Sequence, residues 1–263
     1  SRRKLLMLGG GAAALAAIPV GKHVAWGMKD FTREGYSPGL SEAPAGEKAW
    51  ANWSGIARAT PKDIFVPADE SALADYIANS QGRVRPVGSG HSFTSLVPCE
   101  DTIVDVSRLT GIHAYDVATQ TATIGAGTRL RQAARDLAAV GLAFHNLPDI
   151  DVQTLAGMFS TATHGTGLKL KALHDQIIGF RIVLANGEVR DVTRETDPDL
   201  FSAGKVSLGA LGVITQYTLK LTTAFNLRRR VWVEDVNSIV ARAEDLTAQH
   251  HAFEFYYFPN TGY

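Results

Sequence analysis

One histidine in this chain stands inside a loop whose residue types suit an anion. Arg85-Pro-Val-Gly-Ser-Gly-His-Ser-Phe-Thr94 sets Gly88 and Gly90 two residues apart, with Ser89 and Ser92 as small hydroxyls and His91 between them, directly after an apolar run ending at Val87. Glycine admits positive φ, so successive backbone N–H groups can converge on a phosphate. A neutral imidazole beside that phosphate is a nucleophile, and a reference pKa of about 6.5 keeps the neutral form accessible. The pattern predicts a phosphate-bearing ligand next to a reactive histidine.

A second stretch has matching chemistry. Gln153-Thr-Leu-Ala-Gly-Met-Phe-Ser-Thr-Ala-Thr-His-Gly-Thr-Gly167 is dominated by small and hydroxyl-bearing residues, and Leu147-Pro148-Asp149-Ile150 supplies a turn ahead of it. Such a segment can lie flat against a planar ligand and offer backbone and hydroxyl hydrogen bonds. Ser160 and Thr163 have two readings, ligand contact or capping of their own turn. His164 either buttresses the loop or touches the ligand.

Other chemistries find little support. Cys99 is the only cysteine, which excludes an internal disulfide and a cysteine cage for a metal. His250-His251 lacks a third ligand at suitable spacing, and His23, His113, His145 and His174 are scattered. The 26 basic and 26 acidic residues cancel, and the basic cluster Arg228-Arg229-Arg230 reads as solvated surface, so no nucleic-acid partner is expected. Gly125-Ala-Gly127 gives G-x-G after a strand, but Leu130 stands where a dinucleotide fingerprint needs its third glycine.

The elements that must position these loops follow from periodicity. Ile64–Val66, Arg83–Val87, Thr102–Val106 and Thr121–Ile124 read as strands, and Glu70–Ser80 as a helix with Leu73 and Ile77 four apart. Leu130, Ala133, Ala134, Leu137 and Val140 have helical spacing closed by Gly141. Asn186-Gly187 between apolar arms predicts a hairpin over residues 178–191, because both residues tolerate positive φ. Val213–Thr222 alternates, with Tyr217, Leu219 and Leu221 on one face. Beyond about Thr223 a strand over 230–236, a helix over 237–249 and a strand over 252–258 are expected. The fold class is α+β, with 45% hydrophobic and 20% charged residues as in an ordinary globular protein.

Residues 1–24 read as a targeting segment. Arg2-Arg3 precedes an apolar run from Leu5 to Val20, 16 residues against the roughly 20 of a membrane span. Paired arginines match the twin-arginine type, which implies an exported, periplasmic protein. An uncleaved anchor through residues 5–20 is the alternative. Residues 25–56 read as a linker with the ordered domain beginning near Ala57.

Gly88-Ser-Gly-His-Ser-Phe-Thr94, Ala156-Gly157, Thr163-His-Gly-Thr-Gly167 and Leu208-Gly-Ala-Leu-Gly-Val-Ile214 occur in an order that carries a family resemblance. From about Trp50 to Thr222 the chain resembles the FAD-linked oxidases of the vanillyl-alcohol oxidase type. The branch it most resembles holds the sugar-lactone (gulonolactone, arabinonolactone) and alditol oxidases. The resemblance implies a two-subdomain FAD-binding domain over 57–224 and, over 225–263, the start of an incomplete α+β substrate domain. It implies that Val87, Gly88, Ser89, Gly90, His91 and Ser92 bind the FAD pyrophosphate, with His91 bonded covalently to the flavin 8α carbon. It implies that Pro148, Asp149, Thr154, Gly157, Ser160, Thr161, Thr163, His164, Gly165 and Gly167 line pyrophosphate and flavin. Val213 and Ile214 would receive the adenine end.

The implied reaction oxidises a CH–OH group of a sugar lactone or polyol, with hydride passing to flavin N5 and electrons on to oxygen or another acceptor. In that branch the catalytic base comes largely from the far C-terminal part, so no base is assigned among these residues. Pro148 stands where the branch carries Gly or Ala, which leaves oxidase and dehydrogenase both open. Two further readings remain: a flavoprotein subunit that passes electrons to a partner protein, and a nucleotide-binding module without turnover.

Overall fold

A computed structural model describes residues 48–259 of the 263-residue chain. The targeting segment expected over 1–24 lies outside them. Strands β1 (Trp50–Ala51) and β2 (Arg58–Ala59) form a short antiparallel pair. Ordered structure therefore reaches back past Ala57, into what the sequence presents as linker.

Next come β3 (Asp63–Phe65), helix α1 (Glu70–Asn79), β4 (Val84–Val87) and β5 (Thr102–Asp105), each within one residue of its expected bounds. The three strands make a parallel sheet in the order β3-β5-β4. Parallel strands joined in sequence need a crossover, and α1 supplies it between β3 and β4, which flank β5. Asp69 starts the helix by accepting from the Ala72 amide at 2.8 Å.

The larger sheet follows. Strands β6 (Ile112–Asp116) and β7 (Thr121–Gly125) precede helix α2 (Leu130–Ala139) and the two-residue β8 (Leu142–Ala143). Helix α3 (Leu155–Ser160) leads to β9 (Ile177–Val183) and β10 (Val189–Thr193), then to helix α4 (Pro198–Gly204). Strand β11 (Val213–Lys220) and β12 (Thr222–Thr223) close the domain. Five strands pair antiparallel in the order β10-β9-β11-β7-β6, and β12 pairs with β8. Tyr217, Leu219 and Leu221 are all fully buried, as their alternation predicts, against Phe159, Leu137 and Leu142 in the main core.

A second core joins the two sheets. Leu73 and Ile77 of α1 pack with Val104 and Val106 on one side and Val183 and Val213 on the other. Glu70 strengthens the seam: its carboxylate takes the Arg181 Nε–H at 2.7 Å and the Thr215 hydroxyl at 2.5 Å.

The β9–β10 hairpin forms as expected, whereas the elements expected beyond Thr223 are corrected. In the hairpin Gly187 takes positive φ, at 81°. Asn186 instead uses its side chain, accepting from the Glu188 amide at 3.0 Å, and the Gly187 amide closes the turn on Leu184 O at 2.9 Å. A five-residue loop with one left-handed position needs a single glycine, where a two-residue turn needs two permissive residues. Beyond Thr223, the stretches 230–236 and 252–258 form no strand, because no neighbour forms a ladder with them among the described residues. Val231 and Val233 remain 77% exposed. The single expected helix is broken at Arg242 into α5 (Val236–Ala241) and α6 (Ala243–Gln249).

Candidate functional site

Strand β4 ends at Val87, and the loop that follows turns across the start of α3. Ser89 Oγ donates to Val152 O at 2.6 Å, tying the first loop to the segment entering α3. Thr154 caps α3 by accepting from the Gly157 amide at 3.2 Å. Its hydroxyl lies against Gly88 so closely that a Cβ there would stand far inside van der Waals contact with it. The approach of the two segments depends on that missing side chain.

Helix α3 has two faces. Leu155, Met158 and Phe159 are buried in the core, whereas Ala156, Gly157 and Ser160, together with the following Thr161, line a cleft. Small side chains on that face leave room for a ligand. The cleft, about 780 Å³ including its open mouth, is walled by residues 85–92, 153–161 and 207–214. It gathers Val87, Gly88, Ser89, Gly90, His91, Ser92, Thr154, Gly157, Ser160, Thr161, Val213 and Ile214 from three separate parts of the sequence.

The other six residues singled out by sequence, Pro148, Asp149, Thr163, His164, Gly165 and Gly167, do not line the cleft. Thr163 Oγ1 accepts from Gln153 Nε2 at 3.0 Å, and His164 Nδ1 sits 3.1 Å from Gly165 O. Gly165 packs tightly on Leu147 O and Asn146, and a Cβ at Gly167 would stand 2.6 Å from His251 O. Pro148 is half-buried and Asp149 exposed. Burial and the neighbouring Asp149 carboxylate raise the Glu254 carboxyl above its usual range. Thr163 thus touches the cleft wall through Gln153, while Gly167 and Asp149 meet residues 251 and 254.

Several wall residues escaped the sequence reading. Arg85 donates from Nε to Leu96 O at 2.8 Å, from Nη2 to Leu208 O at 3.0 Å and from Nη1 to Gly209 O at 3.3 Å. All three acceptors are neutral carbonyls, so the guanidinium brings a positive charge to the cleft with no carboxylate to balance it among the described residues. Leu208 and Gly209, with φ of 50° and 66°, form the turn that Arg85 holds. Ser207 joins them, its hydroxyl 3.2 Å from Ser160 Oγ. Arg85 heads the glycine loop in sequence, yet its role depends on a turn more than 120 residues away, which no local pattern reveals.

The donors suit a diphosphate. Carbonyls of Gly90, His91 and Ser92 are all hydrogen-bonded to Asn52 or Trp53, at 3.0 Å each. In a trans peptide the N–H opposes the C=O, so the amides of His91 and Ser92 point away from that segment. Neither donates to another described residue. Gln153 Oε1, in the same wall, is buried without a partner. Burial and, next, the Arg129 guanidinium hold the His91 imidazole below its usual 6.5. Among the described residues no cluster of three His, Cys, Asp or Glu could hold a metal.

Comparison with known proteins agrees. L-Gulono-1,4-lactone dehydrogenase of Mycobacterium tuberculosis is 37% identical over 213 residues, covering 80% of this chain and 49% of that protein. D-Arabinono-1,4-lactone oxidase of Eremothecium gossypii is 30% identical over 215 residues, covering 79% of this chain and 40% of the relative. The chain thus spans half or less of the length of these relatives. The fold is shared with alkyldihydroxyacetonephosphate synthase, at a TM-score of 0.55 and 20% identity over 61% of this chain and 31% of that one. Residues 61–193, just over half the chain, match the family described as the FAD binding domain, and the chain belongs to it.

Proposed function

We propose that the protein is an FAD-dependent oxidoreductase that oxidises a CH–OH group of a sugar lactone. The observation that carries this reading is the single cleft formed by the His91 loop, α3 and the start of β11. FAD supplies the two-electron oxidation when bound. Amides of His91 and Ser92 and the Arg85 guanidinium would hold the diphosphate, a task that unpaired N–H groups and a cation perform without a metal. Val213 and Ile214 would flank the adenine end. Pro148, Asp149, Thr163, His164, Gly165 and Gly167 would lie toward the flavin. His91 would carry the flavin covalently; its depressed basicity keeps a nitrogen lone pair available near neutral pH.

Substrate choice follows from the relatives, which are named for gulono- and arabinono-lactones. Residues 225–259 would begin the substrate domain, and the catalytic base would come from elsewhere in the whole protein. A second reading, electron delivery to an acceptor other than oxygen, is favoured by the word dehydrogenase in the name of the mycobacterial relative. Arg2-Arg3 and the apolar run after it support export in the folded, FAD-loaded state by the twin-arginine route. Substituting both arginines by lysine would then leave the protein in the cytoplasm.

The test uses the full-length protein. After acid denaturation, flavin fluorescence should stay with the polypeptide, and His91→Ala should release it. Aldonolactones should bleach the flavin absorption under nitrogen, and admission of air should restore it only if oxygen is the acceptor. Colourless protein after growth with ample riboflavin would refute the assignment.

A further inference from the structure

Three successive carbonyls of the reactive loop are held by two adjacent residues of one strap. Trp53 N donates to Gly90 O, Trp53 Nε1 to His91 O and Asn52 Nδ2 to Ser92 O, each at 3.0 Å. Asn52 is itself fixed: it is 3% exposed, and its Oδ1 accepts from the Ala57 amide at 3.0 Å. The Trp53 indole then lies on the His91 imidazole, with ring centroids 5.1 Å apart and planes 15° from parallel.

Core packing does not account for this tryptophan. It is 49% exposed and sits at the surface beside Phe93, itself 64% exposed. A large aromatic left half in water, stacked on one imidazole and bonded to that residue's own carbonyl, restricts both the backbone and the χ2 plane of a single side chain. We propose that Trp53 is the positioning residue for flavin attachment, fixing the His91 ring in the orientation that reacts while Asn52 anchors the strap. The inference rests on the reading that His91 is the attachment residue.

Attachment joins an imidazole nitrogen to the 8α carbon. One hydrogen leaves the imidazole and one leaves the methyl group, and the electron pair passes to dioxygen, the co-oxidant, which departs as hydrogen peroxide. Orientation matters for such a step because a ring displaced or turned by about 1 Å can lose two orders of magnitude in rate.

Full-length apoprotein from riboflavin-starved cells, mixed with FAD under air, gives two separate readouts: noncovalent affinity from fluorescence quenching, and attachment rate from fluorescence retained after acid denaturation. Trp53→Leu removes the stack and the indole N–H but keeps the other two carbonyl bonds. Its attachment rate should fall about tenfold or more, with affinity for FAD little changed. Trp53→Phe keeps a ring and loses one hydrogen bond, so its rate should fall about fivefold. An attachment rate equal to wild type in Trp53→Leu overturns the proposal, as does an equal loss of affinity and rate, the signature of a merely structural role. Should Trp53→Leu not fold, a wild-type rate in Trp53→Phe overturns it instead. Flavin retained by His91→Ala, or absent from wild type, would show that the attachment reading itself has failed, and the proposal falls with it.

Discussion

Gly88 and His91 constrain the site in different ways. Gly88 lies so close to the Thr154 hydroxyl that any side chain must push the first loop away from α3. Gly88→Ala should therefore weaken FAD binding by at least about tenfold and cost about 1–3 kcal/mol of stability. Thr154→Ala in the same chain removes the offending hydroxyl and should restore part of both, as fluorescence titration and denaturant melts would show. Failure of the double variant to recover anything would mean that the loop spacing is set elsewhere. His91 is governed by charge. Burial first, and Arg129 second, disfavour its protonated form in the folded protein. The unfolded imidazole takes its proton near pH 6.5, while the folded one resists until a lower pH. In flavin-free protein, stability should thus decline as pH drops from 6.5 toward the folded pKa, and Arg129→Gln should move the His91 titration in an NMR pH series upward. A midpoint above 6.5 in flavin-free wild-type protein would contradict the site's electrostatics.

At the scale of elements, legibility follows the range of the interactions. Helix α1 and strands β3, β4 and β5 were readable because burial in them repeats with the local period: Leu73 and Ile77 lie on one face of the helix, and strand residues meet the core in runs. Small residues in α3 marked the cleft because their spacing leaves one face without bulk. Strand β6 left little trace, since only Ile112 at its start is even half-buried and no alternation appears. Arg85 was readable as a residue but not as a part of the site, because its partners are carbonyls and carbonyls carry no sequence signature. Two of the three hydrogen bonds from the guanidinium hold the turn at Leu208, whose positive φ is costly for a branched side chain. Arg85→Met preserves most of the bulk and removes every donor. In a His91→Ala background, where flavin would exchange freely, it should lower FAD affinity about tenfold, as expected for loss of a cation near a diphosphate. Unchanged affinity in an equilibrium titration would leave Arg85 as a brace for the turn alone.

Across the whole molecule, the cleft draws its walls from both sheets. Residues 85–92 extend the parallel sheet, residues 207–214 lead into the central strand of the antiparallel sheet, and α3 lies between them. The two sheets also share the core around Leu73, Val104, Val183 and Val213. Residues 225–259 behave otherwise. Ile239 and Leu246 are buried, but many of the other apolar side chains there, Val231, Val233, Tyr256 and Phe258 among them, remain exposed, and the strands that the sequence suggests do not form, because a strand exists only when another strand pairs with it. Ligand binding provides a test of unity in the rest. FAD that touches both sheets must stabilise them together, by about 2.7 kcal/mol at a hundredfold excess over Kd. For a body of this size that corresponds to a rise of about 5–10 °C in Tm. Calorimetry of the His91→Ala protein, with FAD added and removed, should show one main transition that moves as a whole. Two transitions, of which FAD shifts only one, would mean that the sheets unfold independently and that the cleft belongs to one of them.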